Sequence, residues 1–84
     1  MKEIVCNLSG FTFEHNLYII EDGIVKQSKP VEYEYMGEEI LNAIEKTGIL
    51  NIHLYGLEEF TTPIEEQIRS TLNFENQELK FIYN

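Results

Sequence analysis

Apolar and polar positions alternate from the start of the chain. Ile4, Cys6 and Leu8 are interleaved with Glu3, Val5 and Asn7, and after Ser9-Gly10 the pattern resumes with Phe11, Phe13, His15, Leu17 and Ile19. A period of two is the signature of strands with one face in a core. A two-residue turn at Ser9-Gly10 pairs Leu8 with Phe11, Cys6 with Phe13 and Ile4 with His15, which sets both apolar rows on one face. Asp22-Gly23 marks a second turn, because both residues tolerate positive φ. It separates Leu17-Tyr18-Ile19-Ile20 from Ile24-Val25-Lys26. Tyr18, Ile20 and Val25 give the opposite face apolar character too, so that part of the sheet is a candidate for cover on both sides. Val31, Tyr33 and Tyr35 alternate with Glu32 and Glu34, extending the third strand past Pro30 or forming a separate edge strand, where proline is tolerated.

The period then changes. Ile40, Leu41 and Ile44 recur at helical spacing beside Ala43, with Glu38 and Glu39 in the first turn, Lys46 in the last and Gly48 just beyond. These placements complement the helix dipole and supply a C-cap, and they predict a helix over 37–47. Residues 49–55 are almost continuously apolar, as in a central strand buried on both faces. Thr62-Pro63-Ile64-Glu65 reads as a capping box with proline at the first helical position. Ile64, Ile68 and Leu72 form one stripe, so a second helix is expected over 63–72. Leu79, Phe81 and Tyr83 alternate as a last strand.

The order β-β-β-α-β-α-β predicts a single α/β (α+β) domain over residues 1–84, with two helices on a mixed sheet. The strand over 49–55, the second helix and the last strand make a βαβ unit with parallel strands. This element order resembles an RNase H-like or actin-like core lacking its last helix, by analogy in topology. Such nucleases carry a carboxylate in the middle of the first strand, where this chain has Cys6 and Asn7 and only Glu3 at the start. The resemblance therefore transfers no catalytic site.

Charge narrows the partners. Fifteen acidic residues stand against six basic ones, for a formal net charge of −9. That balance disfavours direct contact with nucleic-acid backbones and with anionic membranes, which reward Lys and Arg clusters. It favours rapid encounter with basic partners. The single cysteine, Cys6, permits neither an internal disulfide nor a thiolate metal site, and its apolar strand suits a buried thiol. No apolar run approaches the roughly eighteen residues of a membrane-spanning helix. The expectation is a soluble, cytoplasmic protein without cofactor or metal.

His15 and His53 stand on different strands without metal-ligand spacing, and each is read first as a packed, hydrogen-bonded histidine. Asn51, His53 and Tyr55 share one strand face near its C-terminal end, where α/β folds often bind ligands, and form a candidate ligand pocket. No serine or cysteine has a recognisable base, and no Walker loop or dinucleotide fingerprint is present, so no enzymatic activity is expected.

Two acidic clusters remain. The first comprises Glu32, Tyr33, Glu34, Tyr35, Met36, Glu38 and Glu39, with Glu32 and Glu34 about 7 Å apart on one face of an expected strand. The second comprises Glu58, Glu59, Glu65 and Glu66. Glutamates in strand faces and first helical turns are ordinarily just solvated. The functional alternative is docking on a basic groove, with tyrosines as anchors.

Eleven Ile, seven Asn and one Ala suggest an AT-rich coding source, common among phages and mobile elements. The expected function is a non-catalytic inhibitor or accessory protein that occupies a basic, nucleic-acid-binding surface of a host protein, similar in logic to DNA-mimic and anti-CRISPR proteins. A small-ligand binder and a homo-oligomer pairing through an edge strand are the alternatives.

Overall fold

Burial follows the alternation along the first strand. Ile4, Cys6 and Leu8 are at most 1% exposed, while Glu3, Val5 and Asn7 between them are only half-buried. The computed structural model of the chain describes residues 1–8, 15–72 and 78–83. Its elements are β1 (Lys2–Asn7), β2 (His15–Glu21), β3 (Ile24–Val31), α1 (Tyr33–Thr47), β4 (Asn51–Tyr55), α2 (Glu58–Thr71) and β5 (Lys80–Tyr83). The strands form one five-stranded sheet in the order β3-β2-β1-β4-β5. β2 is antiparallel to both neighbours, and β1, β4 and β5 run parallel. The fold is thus a small α+β domain with a mixed sheet and two helices. Its strand order fits the RNase H-like expectation, as an analogy in topology.

One face of the sheet is the core face. Ile4, Cys6 and Leu8 join Leu17 and Ile19 of β2, Val31 of β3, and Ile52 and Leu54 of β4. Met36, Ile40 and Ile44 of α1 and Ile64 and Ile68 of α2 close over them in the same cluster. Both helices therefore sit on one side. Where they meet, a Cβ on buried Gly37 would overlap the Gln67 side chain. Glycine in a helix interior costs roughly 1 kcal/mol relative to alanine, and here it makes room for the Gln67 side chain of α2.

The sheet's other face is left open among the described residues. The pairings place Ser28, Tyr18, Val5, His53 and Ile82 in one row across it. Among the described residues no second layer covers Tyr18, Ile20 and Val25, the part of the sheet that its apolar pattern makes a candidate for cover on both sides, and β4 is buried on its Ile52–Leu54 face.

Turn chemistry sets the β2–β3 hairpin. Asp22 and Gly23 have φ of 53° and 78°, the left-handed pair of a two-residue hairpin turn. The β1–β2 register differs from the expected one: Ile4 pairs with Ile19 and Cys6 with Leu17, four residues further along β2. Alternation specifies only which face a residue takes, so an even shift leaves every core residue in the core. The Ser9-Gly10 turn, Phe11 and Phe13 lie outside the described residues.

Both helices begin earlier than expected. Residues 33–35 are the first turn of α1, not a strand, because Tyr33, Met36, Gly37 and Ile40 continue the helical stripe. Glu32 is the extended N-cap residue, so Glu32 and Glu34 do not share a strand face. α2 starts at Glu58 after the extended Leu57, and Thr62-Pro63 is not its cap. Pro63 lies inside the helix, where it removes the N–H that would bond the Glu59 carbonyl.

Gly56 ends β4 with φ of 146°, and a Cβ there would stand 2.7 Å from the Leu8 carbonyl oxygen. Replacing it opposes both the backbone conformation and the Leu8 N–H to Tyr55 C=O bond of 2.7 Å. Gly56→Ala is expected to lower unfolding free energy by about 2 kcal/mol or more, read as a lower urea midpoint at unchanged m-value. Gly48→Ala, where a Cβ meets nothing within 4 Å, should cost less.

Candidate functional site

α1 and α2 both follow parallel strands, so both start at the edge where β3 and β4 end. The structure brings Glu32 and Glu34, at the start of α1, to the same end of the domain as Glu58 and Glu59, at the start of α2. The two starts are joined directly. The Tyr33 hydroxyl donates to the Phe60 carbonyl at 2.8 Å. The two rings meet edge-to-face at 5.8 Å and 81°, a favourable aromatic geometry. His15, at the start of β2, packs on the other side of Tyr33 with ring centroids 6.0 Å apart. Burial of the Tyr33 phenol pushes its pKa up from the ordinary tyrosine value. A cavity of about 420 Å³ lies beside this clasp, lined by His15, Glu32, Tyr33 and Glu34.

Neither helix start has a side-chain cap. The carboxylates in the first turns instead complement the partial positive charge of the free N–H groups. Glu32, Glu34, Glu38, Glu58, Glu59 and Glu66 are exposed, and no ion pair involves them among the described residues.

Other members of the two clusters are committed internally. Glu39 pairs with Lys29 of β3. Glu65 pairs with Arg69 at 3.4 Å, and Arg69 stacks over Phe81 at 4.8 Å. Desolvation first, then the neighbouring Glu65 carboxylate, hold the Tyr83 phenol well above the ordinary range. Met36 is fully buried, so it belongs to the core and not to an exposed docking surface. Tyr35 is 52% exposed and free to meet a partner.

Two residues with no charge signal join this end. Leu57 and Phe60 are 58% and 40% exposed and flank Glu58 and Glu59 in the chain. The expectation of a helix starting at Pro63 hid them, because it left residues 57–60 without a defined place.

Asn51, His53 and Tyr55 do share one strand face, but they line the open face of the sheet in a row. The His53 and Tyr55 rings are near-parallel, 6.5 Å apart and tilted by 16°. His53 Nε2 lies 3.5 Å from the Glu3 carboxylate, close enough for an ion pair when protonated, yet makes no hydrogen bond.

The described residues contain no group of three or more His, Cys, Asp or Glu placed to hold a metal ion. They contain no helix long and apolar enough to cross a membrane. Comparison with protein-family models, with curated proteins and with solved structures finds no match.

Cys6 is fully buried, and desolvation pushes its thiol from 9.0 to about 12. The folded chain keeps a proton that the unfolded chain gives up above the ordinary thiol value, so this contribution to stability is complete below that value and declines as pH rises toward 12. Cys6→Ala should flatten the fall of stability between pH 9 and 11, as measured by urea unfolding of the two chains at matched pH. Tyr33→Phe, which removes only the bond to the Phe60 carbonyl, is expected to cost about 1 kcal/mol in the same assay.

Proposed function

We propose that this chain is a non-catalytic binding domain, an accessory or inhibitor of phage or mobile-element type. It docks its acidic end on a basic, nucleic-acid-binding surface of a host protein. The observation that carries this reading is the convergence of Glu32 and Glu34 with Glu58 and Glu59 at one end of the domain, around the Tyr33–Phe60 clasp. Four carboxylates on two short helical turns compete for lysines and arginines that otherwise hold phosphates. Exposed Tyr35, Leu57 and Phe60 beside them supply the apolar contact that charge alone lacks. The carboxylates steer the encounter, and the apolar side chains hold the complex.

Homo-oligomerisation through an edge strand, β3 or β5, is the weaker alternative. β3 carries a bulge, Lys26, Lys29 and Pro30, all features that obstruct strand addition.

Tagged protein retained on a host lysate at low salt should release a basic protein at moderate salt, because exposed charge pairs are screened. Against that isolated partner, Glu32→Lys with Glu34→Lys and, separately, Glu58→Lys with Glu59→Lys should each weaken binding about tenfold or more. Calorimetric titration reads both. Unchanged affinity in both double variants would sink the proposal, and loss in only one would confine the surface to that helix.

A further inference from the structure

The basic residues of this acidic chain are not scattered at random. Three of the six, Lys26, Lys29 and Lys46, line one cleft of about 630 Å³ between β3 and α1. The cleft lies on the helix side of the sheet. It exists because α1 covers only the end of edge strand β3, where Val31 is buried while residues 24–30 are exposed. Its floor is aliphatic: Leu17 and Ile19 from β2 and Ala43 from α1. Gln27, Asn42 and Thr47 add neutral hydrogen-bonding groups to its walls.

The backbone itself is shaped toward this cleft. Gln27 pairs with Ile19, and Val25 pairs with Ile20, so Lys26 is the extra residue of a β-bulge. A bulge redirects a side chain that regular pairing would place elsewhere. Here Gln27 and Lys29 pair with Ile19 and Leu17 and so take the helix side of β3, and Lys26 borders the same space. Glu39 is the one acidic residue in the lining, and it is taken up by Lys29. Lys26 and Lys46 carry no ion pair among the described residues. Three lysines against one glutamate leave the lining with two positive charges in excess, on a molecule whose net charge is −9.

We propose that this cleft is a binding site for a small amphipathic anion: an aliphatic body ending in a carboxylate or phosphate. The aliphatic floor takes the chain, and Lys26 and Lys46 take the headgroup from opposite walls, with Gln27 and Asn42 as hydrogen-bond donors. Among the described residues no aromatic side chain is in the lining, so they offer no stacking platform for a nucleobase, and aliphatic ligands are favoured over nucleotides. The volume falls within the roughly 300–1,000 Å³ of small-molecule sites. The charge excess concentrates anions there while the rest of the surface repels them. This site is separate from the acidic end, and it stands or falls independently of the partner proposed above.

The test is a ¹H–¹⁵N correlation titration of the whole chain with sodium octanoate and with octyl phosphate, and with octyltrimethylammonium as the charge-reversed control. Saturable shifts at residues 26–29, 42, 43 and 47 with either anion, and none there with the cation, are expected. The arm that binds more tightly assigns the headgroup. Lys26→Gln with Lys46→Gln should weaken anion binding about a hundredfold, at about tenfold per charged contact. Both lysines are exposed, so the thermal midpoint of this variant should match the parent. Shifts centred on Tyr18, Ile20 and Val25 of the open face, equal binding of the cation, no saturable binding of either anion, or unchanged affinity in the double variant would each overturn the proposal.

Discussion

Both helices must share the one buried face of a five-stranded sheet, and most other features descend from that constraint. Two helices lie beside each other over a single sheet face, and at Gly37 of α1 the Gln67 side chain of α2 takes the place a Cβ would fill. Because each helix follows a strand of the same direction, their N-termini emerge at one edge. The side on which both helices lie leaves the opposite face open. Their position over the middle of the sheet leaves edge strand β3 partly unroofed. The acidic end, the open face and the lysine-lined cleft are three consequences of one packing arrangement.

The core could be read from the sequence because it depends on parity and stripe alone. Ile4, Cys6, Leu17, Ile19, Ile64 and Ile68 each follow a simple period, and each is buried. Strand register and helix starts could not be read as well. Alternation repeats every two residues, so a shift of four between β1 and β2 leaves no trace in the pattern. Tyr33-Glu34-Tyr35 satisfies a strand alternation and a helix start equally, and Gly37 looks like a boundary when it is a close contact. Thr62-Pro63 mimics a cap so well that the turn before it is invisible. Tertiary packing decides these cases, and local pattern does not carry it.

The same limit applies to the functional surfaces. That acidic residues dominate is plain from composition, yet composition has no geometry. Glu39 and Glu65 are held by Lys29 and Arg69, while Glu32, Glu34, Glu58 and Glu59 are left exposed at one end. The lysines of the cleft are separated in the chain by up to twenty positions, and the bulge at Lys26 has no sequence signature. Charge is thus sorted by the fold: carboxylates at the helix starts, where the dipoles favour them, and free ammonium groups along β3 and the last turns of α1.

The contact at Gly37 also has a meaning for recognition. Two parallel helices clasped at their starts, and in contact again at Gly37 and Gln67, hold their leading carboxylates at a set separation, as the jaws of a caliper hold a gauge. A partner is then measured by the spacing of its own positive groups and not only by their number. Gly37, on the α1 side of that contact, is buried. A side chain at position 37 must first displace the Gln67 amide, so a neutral contact between the helices bears on the gauge without touching a single charge.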